Sequence, residues 1–592
     1  MKFRSLYKFS EIEFNNNLIF FAQLLDEMLF DYTLDTYKPS ILNVHSLIEE
    51  AFEVIKEVNN GNIKQPNIEH VISELVKELE KDMIANKMLL TLRTEILAVL
   101  KNKKENENLG KIKNILEILK SLLDRSSYKE KLELEIIENL KKETTEFEII
   151  RRLSRSYITF LISNGYNTKY IRKEVLHFFW EGYNKFNKID DIKNLFDLFS
   201  FDYKRYNVFF SADNILSTYD LPNSNETKLI NVYNRNELPE IIQDKNFLKL
   251  NPTSNFYSMK CKEIDPFSAR ERIERNLRLF ANLINIFHHK KNIKWQKKFI
   301  VIDENNNTSF TINESIKAMH KCIDLKEPKA KIQLQDFLTS FYLEDDSFNK
   351  FINSVRLHSM AIHTESHENQ LLNLWVSLES LVPADTKSDK NSNIVHIVNS
   401  IIPFLNMFYF QSLVIKLIKD LVRWNVNILR KSLRGVEGKD SIIKIVNILS
   451  KSKYEDKFNY LKLKTEDFQL LNDRLKHFKK IFSSKSKMSE IIKNHTQRLE
   501  WQIRRIYRTR NLIVHTGITP KYTAILIEHT HSYLDVLLST LIKLSSLNRI
   551  NSVGQGFQYM DLLYNDYIKI LDNKNSSPLE DIELEKIFKY LN

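Results

Sequence analysis

Arg510 and His515 bracket the six residues of this chain best suited to chemistry: Arg510-Asn511-Leu512-Ile513-Val514-His515. Arginine holds a phosphate in a planar fork, and histidine moves protons near neutral pH. Together they are the two groups needed to cut RNA through its own 2′-hydroxyl without a metal. Spacing alone selects nothing, since a chain this long should contain roughly one Arg-x4-His by chance. A second does occur, Arg172 to His177, and it reads as an amphipathic helix with Val175, Phe178 and Phe179 facing inward. The context separates the two. Asn511 follows Arg510, Thr516-Gly517 follows His515, and Gly517 is placed to end a helix. Upstream lies a basic run of His495, Arg498, Arg504, Arg505 and Arg508. Arginine clusters of this kind suit phosphate contacts, so Arg504, Arg505 and Arg508 are the expected RNA-binding residues. Five residues at about 100° each put Arg510 and His515 about 140° apart on a straight helix. Either the helix ends between them or a second copy of the chain completes the site.

Three other constellations invite chemistry. His358, His363 and His367 could suggest a metal, with His363 and His367 read as one turn apart on one face. Arg356 falls on the same face as His363, so an RNA-facing wall is weighed above a metal site, and no metal or other cofactor is expected. Arg270, Arg272, Arg275 and Arg278 line one face of a helix that reads most simply as solvated surface. Glu379 shares a helix face with Trp375, and a partly buried carboxylate there wants a cation, for which Arg510 is a candidate.

These residues need a scaffold, and composition points to helices. The 592 residues include only 9 Gly and 11 Pro, far below the usual share of about 7% and 5%. Residues 1 to about 200 carry apolar residues at three and four spacing, as in Leu90, Leu92, Ile96, Leu97 and Leu100, and in Ile115, Leu116, Ile118, Leu119 and Leu122. Character changes near 205. Tyr206–Phe210 and Phe256–Ile264 are β-prone, and 217–228 reads as a loop. Phe299–Asp303 and Ser309–Ile312 flank Asn305-Asn306-Asn307 as a hairpin. Asp265-Pro266 opens a helix with apolar face Ile273, Leu277, Phe280, Ile284 and Phe287. Beyond 330 the chain is helical again, with polar breaks at 385–392 and 434–440 and a helical tail after Gly554-Gln555-Gly556. The apolar run from Val395 to Val422 contains His396, Asn399, Pro403, Gln411 and Lys416 and reads as buried helices, not a membrane span.

Cys261 and Cys322 are the only cysteines, too few for a disulfide framework or a cysteine-rich zinc site. A reducing cytoplasm fits, and no signal-peptide core follows Met1-Lys2-Phe3-Arg4. Net charge of +12 permits a polyanionic partner without requiring one.

Arg-Asn-x-x-x-His followed by x-Gly, at 510–517, resembles the signature of HEPN domains. Leu371-Leu372-Asn373-Leu374-Trp375-Val376-Ser377-Leu378-Glu379-Ser380-Leu381 is similar to the preceding helix in the Apea-like branch of that family. Asp265-Pro266-Phe267-Ser268-Ala269-Arg270-Glu271 resembles a segment upstream in longer members. The resemblance spans roughly residues 340 to 545. It implies a helical bundle that dimerises to bring two motifs together. It also implies a metal-independent RNA endonuclease of the toxin or antiphage type, with Arg510, Asn511 and His515 catalytic; Glu379 is the expected support only through its own helix face, as a partner for Arg510. Other members have lost activity, so a non-catalytic RNA- or nucleotide-binding module or scaffold is the alternative.

The expectation is thus a mainly α, multidomain chain. A helical N-terminal domain (1–204) precedes an α+β middle domain (205–330), a HEPN helical bundle (331–548) and a helical appendage (549–592). The expected partners are an RNA substrate, a second copy of the chain, and an activator or inhibitor sensed by residues 1–330, with no membrane.

Overall fold

The computed structural model describes residues 3–9, 16–30, 42–102, 108–182, 188–218, 230–249, 254–289, 293–313, 318–319, 325–384, 393–572 and 578–589. They are mainly helical, with one small antiparallel sheet in the middle of the chain. The chain forms two compact units, Met1–Ser156 with Lys317–Asn592, and Tyr157–Ile316. The division is into two units, one of them built from both ends of the chain. Both the N-terminal helices and the C-terminal tail belong to the unit that holds Arg510 and His515.

The N-terminal helices begin with α1 (Asn16–Met28), α2 (Val44–Asn59) and α3 (Asn67–Lys81), and the second and third of these reach the site. Asn43 caps α2 by accepting the Ser46 N–H at 2.9 Å. Leu47, Ile48, Ala51 and Val54 of α2 share one core with Val71, Ile72 and Leu75 of α3. Further on, the expected apolar stripe is shorter than its pattern. Leu90 has φ of 49° and is 73% exposed. It interrupts the helical path, so the buried face there is Ile96, Leu97 and Leu100. Leu92 and Ile118 are likewise exposed.

The middle unit follows the sequence reading closely. Strands β1 (Lys204–Asp213), β2 (Asn231–Tyr233), β3 (Ser254–Glu263), β4 (Phe299–Asp303) and β5 (Thr308–Ile312) pair antiparallel in the order β2-β3-β1-β4-β5. Phe209 opposes Ser258 on one side and Ile300 on the other. Alternation sends Tyr206, Val208 and Phe210 into one core and Phe209 into another, so both faces are covered. Helix α4 (Pro266–Asn285) lies on the first face, with Asp265 accepting the N–H groups of Phe267 and Ser268, each at 2.8 Å. Ile273, Leu277 and Ile284 are buried there, but Phe287 lies past the helix end and is 79% exposed. Arg270 is not solvated as expected. It is buried, paired with Glu274 at 2.6 Å and stacked on the Phe299 ring. Most of the expected loop at 217–228 lies outside the described residues, as do Cys322 and the polar break at 385–392.

Further helices of the larger unit include α5 (Asp345–His363), α6 (His367–Leu381), α7 (Asn393–Met407), α8 (Tyr409–Leu433), α9 (Gln469–Phe482), α10 (Lys485–Thr516), α11 (Thr523–Ser546) and α12 (Val553–Asp572). The α7–α8 stretch is long and apolar enough to cross a membrane by length and composition. Its most apolar window is 56% buried within the protein, which fits core helices. The tail is part of the bundle. Met560, Tyr567 and Leu571 of α12 are buried, and Gly554 and Gly556 lie inside that helix instead of breaking the chain. Gly556 allows a close approach, since a Cβ there would collide with the Leu541 side chain of α11.

Candidate functional site

Helix α10 positions the motif. It begins at Ser484, whose hydroxyl accepts the Lys487 N–H, and ends at Gly517, whose φ of 68° only glycine adopts without strain. No Gly or Pro interrupts its 32 residues, so it runs unbroken through Arg510 and His515. The first sequence alternative, a helix end between them, is thereby removed. The two side chains leave one continuous helix on different sides.

Arg510 is half-buried and donates from Nη1 to Asn511 Oδ1 at 3.0 Å. Its Nε is buried without a hydrogen bond. Among the described residues no carboxylate pairs with it. Asn511 is buried, while His515 is exposed, with Val514 and Ile518 beside it 50% and 46% exposed. The segment after His515 is anchored to α6, where Glu368 accepts the Thr519 hydroxyl at 2.7 Å.

The upstream basic run divides. Arg505 is 1% exposed and Arg508 5%. Glu50 of α2 accepts from both Nε and Nη2 of Arg505 in three hydrogen bonds, and Arg508 Nη2 reaches the same carboxylate at 2.6 Å. Glu74 of α3 accepts from Arg505 Nη2 at 2.5 Å. These guanidiniums are spent on fastening the N-terminal helices to α10, which corrects their expected role at RNA. Burial alone would raise the Glu50 carboxyl, but Arg505 and Arg508 outweigh it and hold it down at about 2. Glu74 is pushed up to about 7, because burial exceeds the pull of the Arg505 it shares with Glu50. Arg504 alone of the three stays half-exposed. Burial and the charges of Arg504 and Arg508 push His70 of α3 down to about 4. His495 is no cation either. Its Nδ1 meets Asn406 Oδ1 at 2.8 Å, its ring stacks on Tyr409, and burial with nearby Arg498 drives it to about 3.

The Leu371–Leu381 segment forms most of α6 and packs on both α10 and α11. Leu371, Leu374, Leu378 and Leu381 are buried, and the Trp375 ring lies 5.7 Å from that of Tyr507. Glu379 accepts the Trp375 indole N–H at 3.0 Å, so its partner is an indole and not Arg510. His363 ends α5 and His367 opens α6, so the two do not share a helix face. Instead His358 meets His531 and Asp535 of α11, a grouping the sequence reading missed. The signal was the i,i+4 pair His531 and Asp535 on one helix face. Burial lowers the His531 imidazole, with Asp535 opposing.

A cleft of ≈ 710 Å³ between α10 and α12 is lined by Lys493, Gln497, Glu500, Tyr564 and Lys569 among others. It lies turns away from Arg510 along α10. Comparison with protein-family models, curated proteins and solved structures finds no match.

Proposed function

We propose that this chain is a HEPN-type, metal-independent RNA endonuclease, acting in the cytoplasm as a regulated toxin or antiphage effector. The observation that carries the reading is the state of Arg510. Two nearby arginines on the same helix are neutralised by buried carboxylates, and Arg510 has none among the described residues. An arginine without an anion beside an exposed histidine suits a phosphate.

In the reaction the 2′-oxygen of RNA loses its proton to His515 acting as general base and attacks the adjacent phosphorus. The P–O5′ bond breaks, and the 5′-oxygen takes a proton from the His515 of a second copy. Products are a 2′,3′-cyclic phosphate and a 5′-hydroxyl. Arg510 stabilises charge on the non-bridging oxygens, an effect that acts where charge develops. The angular separation of about 140° on an unbroken helix supports a second copy. Exposed Val514 and Ile518 give that copy an apolar rim to cover. Asn511 orients Arg510, and Arg504 remains as an RNA contact.

Wild type, Arg510→Ala and His515→Ala are to be compared for growth arrest and for RNA integrity in EDTA. Cleavage by wild type alone supports the enzyme. Equal behaviour of all three, with RNA bound but intact, supports a non-catalytic RNA-binding module instead. Light scattering tests the dimer, since a strict monomer has no two-motif site.

A further inference from the structure

Apart from Arg510 and His515, three ligand-type side chains converge where α5 meets α11. His358 Nε2 lies 2.9 Å from His531 Nε2 and 3.4 Å from Asp535 Oδ1. The other carboxylate oxygen, Oδ2, is 3.2 Å from His531 Nδ1. One ligand atom from each residue fits within 4.8 Å of the others. Asp535 Oδ2 is placed to accept the Nδ1–H of His531. That tautomer leaves the His531 Nε2 lone pair aimed at His358.

We propose that His358, His531 and Asp535 bind a divalent transition metal of the Zn2+ class, tying α5 to α11. Two imidazole nitrogens and a carboxylate oxygen suit such an ion, whereas Mg2+ and Ca2+ prefer all-oxygen shells. Zn–N distances put two nitrogens about 3.3 Å apart on a tetrahedral ion. The present 2.9 Å needs a few tenths of an ångström of opening, and the half-exposed Asp535 carboxylate must swing in to close a group that now spans up to 4.8 Å. The side chains grade outward in exposure, His531 5%, His358 18% and Asp535 49%, so an ion enters from the Asp535 side. Three protein ligands leave a fourth position for water. The site is independent of the proposed RNA cleavage, since neither Arg510 nor His515 belongs to it.

The test uses untagged full-length protein, stripped with chelator and dialysed, then titrated with Co2+ and back-titrated with Zn2+. Wild type is expected to bind one Co2+ per chain with a tetrahedral visible band that Zn2+ abolishes. His358→Ala should lose the band. Asp535→Asn, at a half-exposed position, should weaken binding about 10–100-fold. His363→Ala, an exposed histidine bonded to the Ser359 carbonyl, should bind as wild type. Circular dichroism checks that each variant keeps its helices. Absence of a saturable band in wild type overturns the proposal and leaves two hydrogen-bonded histidines. Wild-type binding by both His358→Ala and Asp535→Asn overturns it as well. RNA cleavage in EDTA reads the enzymatic proposal separately, so either can fail alone.

Discussion

Arg505 and Arg510 sit five residues apart on one helix and meet opposite environments. Arg505 is sealed in with Glu50 and Glu74, carboxylates 455 and 431 residues away in sequence. Arg510 donates to the neighbouring Asn511 amide and pairs with no carboxylate among the described residues. A buried guanidinium with two carboxylates is a fastener, because its charge is already answered. A half-buried guanidinium beside a neutral amide keeps its charge for something else. The same residue type, in the same basic run, thus divides into architecture and candidate chemistry.

The largest effect should come from the fastener. Arg505→Met keeps the volume but leaves Glu50 and Glu74 short of a cation, which costs about 3–5 kcal/mol. Urea unfolding followed by circular dichroism should show a clearly lower midpoint. Should Arg505→Met keep wild-type stability while losing RNA cleavage, the division along the helix fails. At the other end the order inverts. His515→Ala and Arg510→Ala should lower RNA cleavage about 10²–10⁴-fold, with stability within about 0.5 kcal/mol of wild type. A large stability loss from either would place that residue with the fasteners.

The pH response sharpens the contrast, because only the buried end has strongly displaced carboxyls. Glu74, raised from 4.5 to about 7, keeps its proton in the folded state after the unfolded chain has lost it. Its contribution is complete below about 4.5 and is lost as pH rises through about 7. Glu50, lowered to about 2, contributes above 4.5 and loses that contribution as pH falls through its folded value. Glu74→Gln should therefore flatten the fall in thermal midpoint between pH 4.5 and 7, and Glu50→Gln should remove part of the loss below 4.5. Unchanged profiles in both variants would mean that the cluster does not hold these charges.

What the sequence made legible was local. Asp265 before Pro266, the three asparagines between β4 and β5, and Gly517 each act through their own few residues, and each stands where it was expected. What it hid depended on distant partners. Nothing within the basic run tells Arg505 from Arg504, since the difference lies in α2 and α3. A signal did exist there. Glu50 lies on the face of Leu47 and Val54, and Glu74 on that of Val71 and Leu75. A carboxylate on an apolar face asks for a buried cation. The N-terminal helices read as a separate domain for the same reason: the charges that join them to α10 are legible only in pairs.

Glu379 gives the smallest expected effect and the closest test of the comparison. Its carboxylate accepts the Trp375 indole at 3.0 Å, and the amide oxygen of Gln can accept the same bond. Glu379→Gln should therefore cost under about 1 kcal/mol, the scale of one hydrogen bond exchanged for a similar one. RNA cleavage should stay within a few-fold of wild type, because Glu379 is not paired with Arg510. A loss as deep as that of Arg510→Ala would show that the Glu379 charge reaches the site. Arg510 would then have a carboxylate to answer to after all, and it would resemble Arg505 more than the geometry allows.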